Sequence, residues 1–203
     1  MGAVPWALLA PTPATAANFS AGQPASLVLG APSLTSPSRA PLMDRGFEKP
    51  ESVSIDGAGR VLVSDYRGHR LGIYNSLPAT DGAPFDVVVG KPSKFDYRNG
   101  CSATDHSYTT GGSSGGGRLA AANNYNYRVL LYDTVPTADG AAANRVLGQT
   151  ALNLCNLPAA PTASSIRGSG GVWTDGTKVL VADYQYSRVL VWNTWPTVTV
   201  QVG

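Results

Sequence analysis

Short apolar runs recur along the chain, and polar or turn-forming residues separate them. Residues 179–182 and 189–192 are apolar at every position, whereas residues 51–56 alternate between polar and apolar side chains. Continuous apolar runs of this length are typical of strands buried on both faces, and alternation is typical of a half-buried strand. No 11-residue window shows a convincing helical period. The pattern therefore predicts an all-β protein with short strands.

One segment occurs three times without a gap, at residues 61–80, 119–137 and 179–197. In each copy an acidic or amide residue stands five positions before an arginine: Asp65 and Arg70, Asn123 and Arg128, Asp183 and Arg188. Four glycines that end predicted strands are spaced 60, 58 and 55 residues apart: Gly30, Gly90, Gly148 and Gly203. A period of this order indicates a propeller or a solenoid.

Each period contains four short predicted strands, which is the composition of a propeller blade. We predict blades at residues 50–90, 105–148 and 165–203, and a strand of a partial blade at 25–30. Residues 1–24 form a separate N-terminal segment. It is either a degenerate copy of the repeat or a weakly signal-like segment that lacks the basic n-region of a signal peptide. The glycine-rich stretch 107–118 reads as a low-complexity loop between blades.

Composition excludes some classes of partner. Charged residues make up 14% of the chain, and 15 basic residues nearly balance 13 acidic ones. This balance argues against DNA as a partner. No apolar run approaches the roughly 20 residues that a membrane span needs.

The repeated segments resemble NHL repeats, in which a strand ending in Ala-Asp, a short polar turn and Arg-Val recur in each blade. Residues 181–193 (VADYQYSRVLVWN) match closely, and residues 63–75 and 121–133 match well. The longer unit, with its second turn and strand at 75–90 and 133–149, resembles long-period NHL-like repeats of bacterial secreted or cell-envelope proteins. The resemblance implies an NHL-like β-propeller in an extracellular or cell-envelope location.

Three blades are fewer than a closed ring needs, because closed propellers typically have four to eight. Open sheet edges and large apolar faces are not tolerated when exposed to water. We therefore expect either a fragment of a longer chain or a half-propeller that a second copy completes.

The repeated acidic, amide and arginine positions have two interpretations. They form either a ring of polar groups that holds a ligand, or internal ties in which the arginine binds backbone carbonyls or the neighbouring blade. Their recurrence favours the internal role, since a residue present in every copy meets a structural requirement that all blades share.

Cys101 and Cys155 lie in blade-to-blade loops at similar repeat positions. A disulfide between them fits an oxidising compartment, and two free thiols fit the spacing equally well.

Aromatic and basic residues gather in the turns between the repeated strands, where they could stack on sugars, bases or peptide side chains or cover blade edges. These ligand-binding candidates are Tyr66, Arg67, His69, Tyr125, Tyr127, Tyr184 and Tyr186. No catalytic or metal site is predicted, because the two histidines and two glutamates lack ligand spacing. No cofactor is expected, with calcium on the Asp-Gly turns as an open alternative.

The sequence thus favours a non-enzymatic binding or scaffold module with a protein, peptide or glycan ligand. The family resemblance leaves two alternatives open. One is a propeller enzyme of the metal-dependent lactonase or lyase type. The other is an RNA-binding surface, to which basic residues of the repeats would contribute: Arg67, Arg70, Arg128 and Arg188.

Overall fold

The computed structural model describes residues 20–36 and 43–197. Its regular elements in these ranges are strands and two short 3-10 turns. The strands are β1 (Pro50–Ile55), β2 (Val61–Asp65), β3 (Arg70–Tyr74), β4 (Val87–Val89), β5 (Thr109–Gly115), β6 (Arg118–Asn123), β7 (Arg128–Tyr132), β8 (Arg145–Leu147), β9 (Ser169–Thr174), β10 (Val179–Asp183) and β11 (Arg188–Trp192). No helix in these ranges has the length and apolar character to cross a membrane.

The strands form three antiparallel sheets in which each strand pairs with the next one along the chain. Sheet 1 has the order β1-β2-β3-β4, sheet 2 the order β5-β6-β7-β8, and sheet 3 the order β9-β10-β11. This up-and-down order is that of a propeller blade. The predicted all-β fold, an incomplete propeller-like segment of three blades, is confirmed. The fourth strand predicted for blade 3 falls on residues 198–203, outside the described residues.

The partial blade differs from its prediction. Residues 25–30 form no strand, and Gly30 makes a single bridge to Gly46. Within the described ranges these residues have no neighbouring strand to pair with. Instead the Val28 backbone N–H donates to Asp81 Oδ1 at 2.9 Å, just as the Val88 N–H donates to Asp139 Oδ1 at 2.8 Å. The segment therefore occupies the place of an outer strand beside blade 1. The predicted N-terminal segment lies largely in residues 1–19, outside the described residues.

The loop predicted at 107–118 is wrong, because most of this stretch is strand β5. β5 packs against β1 and β9, and the Ser54 hydroxyl donates to the Gly112 carbonyl oxygen at 2.8 Å. A Cβ on Gly112 would lie 2.5 Å from Leu71 Cδ1, and one on Gly115 would lie 2.7 Å from the Asp175 backbone. The glycines thus allow the sheets to converge at their first strands.

Two apolar layers hold the sheets together. Between sheets 1 and 2 the cluster includes Leu62, Leu71, Ile73, Leu119, Ala121, Leu130 and Tyr132. Between sheets 2 and 3 it includes Ala120, Val129, Leu131, Ile166, Val179, Val181 and Trp195. Neighbouring residues of one strand therefore serve different layers, which explains why the middle strands are apolar at consecutive positions.

The glycine period has a steric cause. Gly30, Gly90 and Gly148 have φ of +85°, +88° and +92°, where side chains are strained. A Cβ on Gly30 would lie 2.5 Å from Phe47 Cδ2, and one on Gly90 would lie 2.3 Å from His106 Cγ. Each glycine thus makes room for the residue that leads into the next blade.

The described segment ends in an uncovered sheet face. Val189 and Val191 of sheet 3 are 62% and 54% exposed, and Trp173 is also exposed. Their repeat equivalents in sheet 1, Leu71 and Ile73, are fully buried. We call this surface, with Leu180 and Ala182, the open face of sheet 3.

Candidate ligand-binding groove

The three turns that carry the predicted candidates share one backbone design. The residue before each arginine is left-handed, with φ of 54° at His69, 53° at Tyr127 and 50° at Ser187. The first turn residue bonds back to the segment entering its own sheet, as when the Tyr66 N–H donates to the Lys49 carbonyl oxygen at 2.8 Å. The turns are therefore fixed beside the first strand of each sheet.

The repeated Asp or Asn side chain reinforces this attachment. Asp65 Oδ1 accepts the backbone N–H groups of Glu48 and Lys49 at 3.0 and 2.9 Å. Asp183 Oδ1 accepts two equivalent N–H groups, both at 3.0 Å. Asn123 Oδ1 accepts one, from Ser107, at 2.7 Å.

The repeated arginine joins the turn to the loops around it. Arg70 is fully buried, and its Nε donates to Asp65 Oδ2 at 3.2 Å. Its terminal nitrogens donate to the carbonyl oxygens of Met43, Gly46 and Lys94 at 2.8, 2.7 and 3.0 Å. Lys94 belongs to the loop that leads into the next blade, so one arginine ties two blades together.

The other two arginines also bond to backbone carbonyl oxygens, but each lacks one of the contacts that Arg70 makes. Arg128 donates to the carbonyl oxygens of Ser102 and Leu152, but its Nε has no hydrogen-bond partner because Asn123 replaces the aspartate. Burial lowers the pKa of Arg128 to about 10. Arg188 contacts Asp183 and Ser165, and no bond to a following blade is made in the described part of the chain.

Tyrosine rings gather at the end of the sheets where these turns lie. The ring centroids of Tyr66 and Tyr108 are 4.8 Å apart, and those of Tyr108 and Tyr125 are 4.2 Å apart. His69 meets Tyr108 edge-on at 4.5 Å, and its Nδ1 accepts the Tyr108 backbone N–H at 2.9 Å. Tyr108 is itself left-handed, with φ of 54°. The ring cluster is thus fixed by both backbone and side-chain contacts.

Two hollows adjoin at Tyr125. The larger has a volume of about 550 Å³ and is lined by Glu48, Tyr66, Arg67, His69, Tyr97, Tyr108 and Tyr125. The smaller has a volume of about 200 Å³ and is lined by Asn124, Tyr125, Tyr127 and Gln185. Together they form a feature that we call the tyrosine groove.

Two titrating groups of the groove, His69 and Tyr66, have pKa values shifted toward their neutral forms. Burial, followed by the charge of Lys91, lowers the pKa of His69. Since its Nδ1 accepts a hydrogen bond, the neutral ring carries its proton on Nε2. Burial, followed by the neighbouring Tyr125, raises the pKa of Tyr66 to about 12. Lys49 Nζ lies 4.4 Å from the centroid of the Tyr66 ring and pairs with Glu51 at 2.6 Å.

Not every predicted candidate lines the groove. Tyr184 is exposed, and its hydroxyl accepts a hydrogen bond from Gln185 Nε2 at 3.1 Å. Tyr186 packs against Arg188 and donates its hydroxyl proton to the Pro158 carbonyl oxygen at 3.2 Å. The other five candidates line one of the two hollows: Tyr66, Arg67, His69, Tyr125 and Tyr127.

Sequence reasoning missed half of the lining, namely Glu48, Tyr97, Tyr108, Asn124 and Gln185. Tyr97 and Tyr108 lie in the connection between blades, outside the aligned repeat. The signal there was the presence of aromatic residues in an otherwise polar connection.

A buried lysine holds the loop that carries Tyr97. Lys91 is fully buried and donates from Nζ to the Arg98 carbonyl oxygen. Gln149 has the equivalent place after sheet 2 and donates to the Asn156 carbonyl oxygen at 2.9 Å, also seven residues on. Burial lowers the pKa of Lys91 to about 8.

The two cysteines are joined. Cys101 and Cys155 form a disulfide with their Cα atoms 6.2 Å apart. It links the loop before β5 to the loop after β8, next to the buried Arg128.

The Asp-Gly turns use their carboxylates within the protein. Asp56 accepts the backbone N–H groups of Ala58 and Arg60, and Asp175 accepts those of Thr177 and Lys178. Across the described ranges, no group of three or more His, Cys, Asp or Glu side chains is placed to hold a metal ion.

No protein-family model and no curated protein matches the chain significantly. Among solved structures, a humanized mutant of the Chaetomium thermophilum Polycomb Repressive Complex 2 bound to the inhibitor GSK126 aligns with 66% of this chain, at 10% identity and a TM-score of 0.39. Kluyvelomyces marxianus Hsv2 aligns with 75% of it, at 10% identity and a TM-score of 0.38. The alignments cover 25% and 47% of those two chains, so the aligned region spans less than half the length of either.

Proposed function

We propose that this chain is a non-enzymatic binding module, a segment of an NHL-like β-propeller that offers the tyrosine groove to a ligand. One observation carries the proposal: four tyrosine rings and three planar polar side chains converge on one hollow. They come from the segment before β1, the β2–β3 turn, the connection between blades and the β6–β7 turn. Concave sites where rings converge with a few polar groups are typical of ligand binding.

His69 and Tyr66 suit recognition better than catalysis. A general base needs a free nitrogen or oxygen near the reacting proton. The Nδ1 atom of His69 is already engaged by the Tyr108 N–H, and the raised pKa of Tyr66 keeps its phenol protonated. These groups can donate hydrogen bonds to a ligand without changing protonation.

The RNA alternative has less support. Two of its four arginines, Arg70 and Arg128, are fully buried and bond to backbone carbonyls of the protein. They cannot neutralise phosphates, which supply most of the affinity in RNA binding. Arg67 is exposed but shares its hollow with Glu48.

A second copy of the chain is the partner we propose for the open face of sheet 3. Each chain has apolar residues exposed at both ends of the blade array: Val53 and Ile55 on β1, and Val189 and Val191 on β11. Two copies placed head to tail would cover both ends and give six blades, within the range of closed rings. The disulfide supports an extracellular or cell-envelope location, since disulfides persist in oxidising compartments.

The partner proposal is tested by native mass from light scattering behind a sizing column. We expect a dimer, and Val191→Lys should shift it to the mass of one chain because a charge would then be buried at the interface. A wild-type mass of one chain with cooperative unfolding would contradict it.

Nuclear magnetic resonance of the 15N-labelled chain tests the binding proposal. Neutral oligosaccharides, a peptide pool and single-stranded oligouridine are added separately. We expect one class to shift the amide signals of Tyr108, Tyr125 and Tyr127, and Tyr125→Ala to abolish the shifts. The proposal fails if no class shifts these signals, or if the chain turns over a panel of lactones with added divalent metal.

A further inference from the structure

We infer that the ligand of the tyrosine groove is a neutral, linear oligosaccharide long enough to occupy both hollows. This inference rests on the proposed function, since it assigns a chemical class to the same site. Three features of the groove lead to it: the chemistry of its lining, its balance of charge, and its division into two hollows at one exposed ring.

The lining contains no aliphatic side chain. Every residue of both hollows has an aromatic ring or a planar polar group. Ligand sites usually combine hydrophobic and aromatic side chains with a few polar groups. Here every lining side chain carries a polar group, so the lining suits a ligand rich in hydroxyl groups better than an apolar peptide segment. A sugar ring presents a patch of C–H groups on one face and hydroxyl groups around its edge. Tyrosine can pack against the first and bond to the second, because its ring is apolar and its hydroxyl is polar.

Polar partners for sugar hydroxyls are present in both hollows. His69 offers an Nε2 donor in the larger hollow, beside the carboxylate of Glu48 and the guanidinium of Arg67. Asn124 and Gln185 offer amide groups in the smaller hollow. Donors and acceptors are therefore mixed along the groove, as a ligand whose hydroxyls both donate and accept requires.

The charges around the groove disfavour ionic ligands. A quaternary ammonium group needs open aromatic faces, but Lys49 Nζ already lies 4.4 Å from the Tyr66 centroid. Arg67 would repel such a cation as well. A polyanion would meet Glu48 in the hollow and Glu51, which pairs with Lys49. A neutral ligand avoids both penalties.

Tyr125 divides the groove, and its position predicts how affinity depends on ligand length. The ring is 54% exposed and lines both hollows. A linear chain that crosses it places sugar units on both sides. Affinity should therefore rise with the number of sugar units until both hollows are filled, and then level off.

Isothermal titration calorimetry of the full chain tests the inference. The probes are gluco-, manno-, xylo- and N-acetylglucosamine oligosaccharides, each from disaccharide to hexasaccharide. We expect one series to bind with a length dependence that levels off. Tyr125→Ala should weaken the binding of its hexasaccharide by about tenfold, the usual size of a central aromatic contact. Tyr125→Phe should keep most of the affinity, because it preserves the ring.

Phe95→Ala is the matched control, because Phe95 is an exposed ring that lines neither hollow. It should leave the affinity unchanged. The inference is overturned if no neutral series binds, or if binding does not respond to Tyr125→Ala. If peptide or oligouridine alone shifts the groove signals, the inference fails while the proposed function stands. If no probe class shifts them, both fail.

Discussion

Replacing Asn123 with aspartate should stabilise the protein, because it supplies the acceptor that Arg128 lacks. In the other two blades the aspartate Oδ2 accepts from the arginine Nε, at 3.2 Å for Asp65 and 3.0 Å for Asp183. Arg128 Nε is buried without a partner, and within the described part of the chain its guanidinium makes no ion pair. Asn123→Asp would restore the arrangement that the repeat uses elsewhere.

The expected gain is a small difference between larger contributions. A hydrogen bond to a charged group contributes about 1.5–3 kcal/mol. The substitution loses the bond from Asn123 Nδ2 to the Asp105 carbonyl oxygen, which at 3.3 Å is weak and contributes about 1 kcal/mol. The new carboxylate is buried but faces a buried cation that has no counter-ion. The net gain should be about 1 kcal/mol, or roughly 2–4 °C in Tm for a chain of this size.

The reverse change in blade 1 should be much more costly. Asp65→Asn leaves the buried Arg70 without its counter-ion, which typically costs about 3–5 kcal/mol. Both variants are measured by urea unfolding at pH 7 and by thermal melting. Asn75→Asp, which adds the same charge at an exposed position, is the control and should change little. A lower Tm for Asn123→Asp, or an unchanged Tm for Asp65→Asn, would refute this reasoning.

Three further predictions concern stability. Reducing the Cys101–Cys155 disulfide frees a 54-residue span and should cost about 4 kcal/mol by the loop-entropy relation; an unchanged unfolding midpoint with reductant would contradict it. Burial, followed by the charges of Arg128 and Lys91, lowers the pKa of His106 to about 3 in the folded protein. The stability that the neutral ring contributes is fully present above the unfolded-state pKa of about 6.5. That stability should fall by about 1.4 kcal/mol per pH unit below 6.5, and His106→Phe should flatten the pH dependence of Tm; an equal slope in both proteins would count against it. Gly90→Ala should cost about 3 kcal/mol through strain and overlap with His106, whereas Gly117→Ala, left-handed but in open space, should cost only about 1–2 kcal/mol; equal costs would refute the steric explanation.

The blades could be predicted from the repeat because its residues form contacts within one strand or between strands adjacent in sequence. Val179 and Val181 face one apolar layer, while Leu180 belongs to the opposite face of the same strand. Such continuous apolar runs identify the middle strands of a sheet even when the neighbouring sheets are not known. The spacing of Asp65 and Arg70 likewise reflects a contact between the ends of two paired strands.

Strand β5, the first strand of sheet 2, and the tyrosine groove could not be predicted from the sequence in the same way. β5 lacks the apolar residues of a typical strand because Gly112 and Gly115 must leave room for neighbouring sheets. The groove depends on Tyr97 and Tyr108, which come from a connection outside the repeat and meet Tyr125 only after folding. Sequence separation hides such convergence, since no local period links these residues.

The most direct test of the binding proposal is a measurement of intermolecular nuclear Overhauser effects between the chain and the tightest-binding oligosaccharide. We expect contacts from the ring protons of Tyr108 and Tyr125 to the C–H groups of the sugar. Contacts from Trp173 or Val189 instead would place the ligand on the open face of sheet 3 and contradict the assignment of the tyrosine groove.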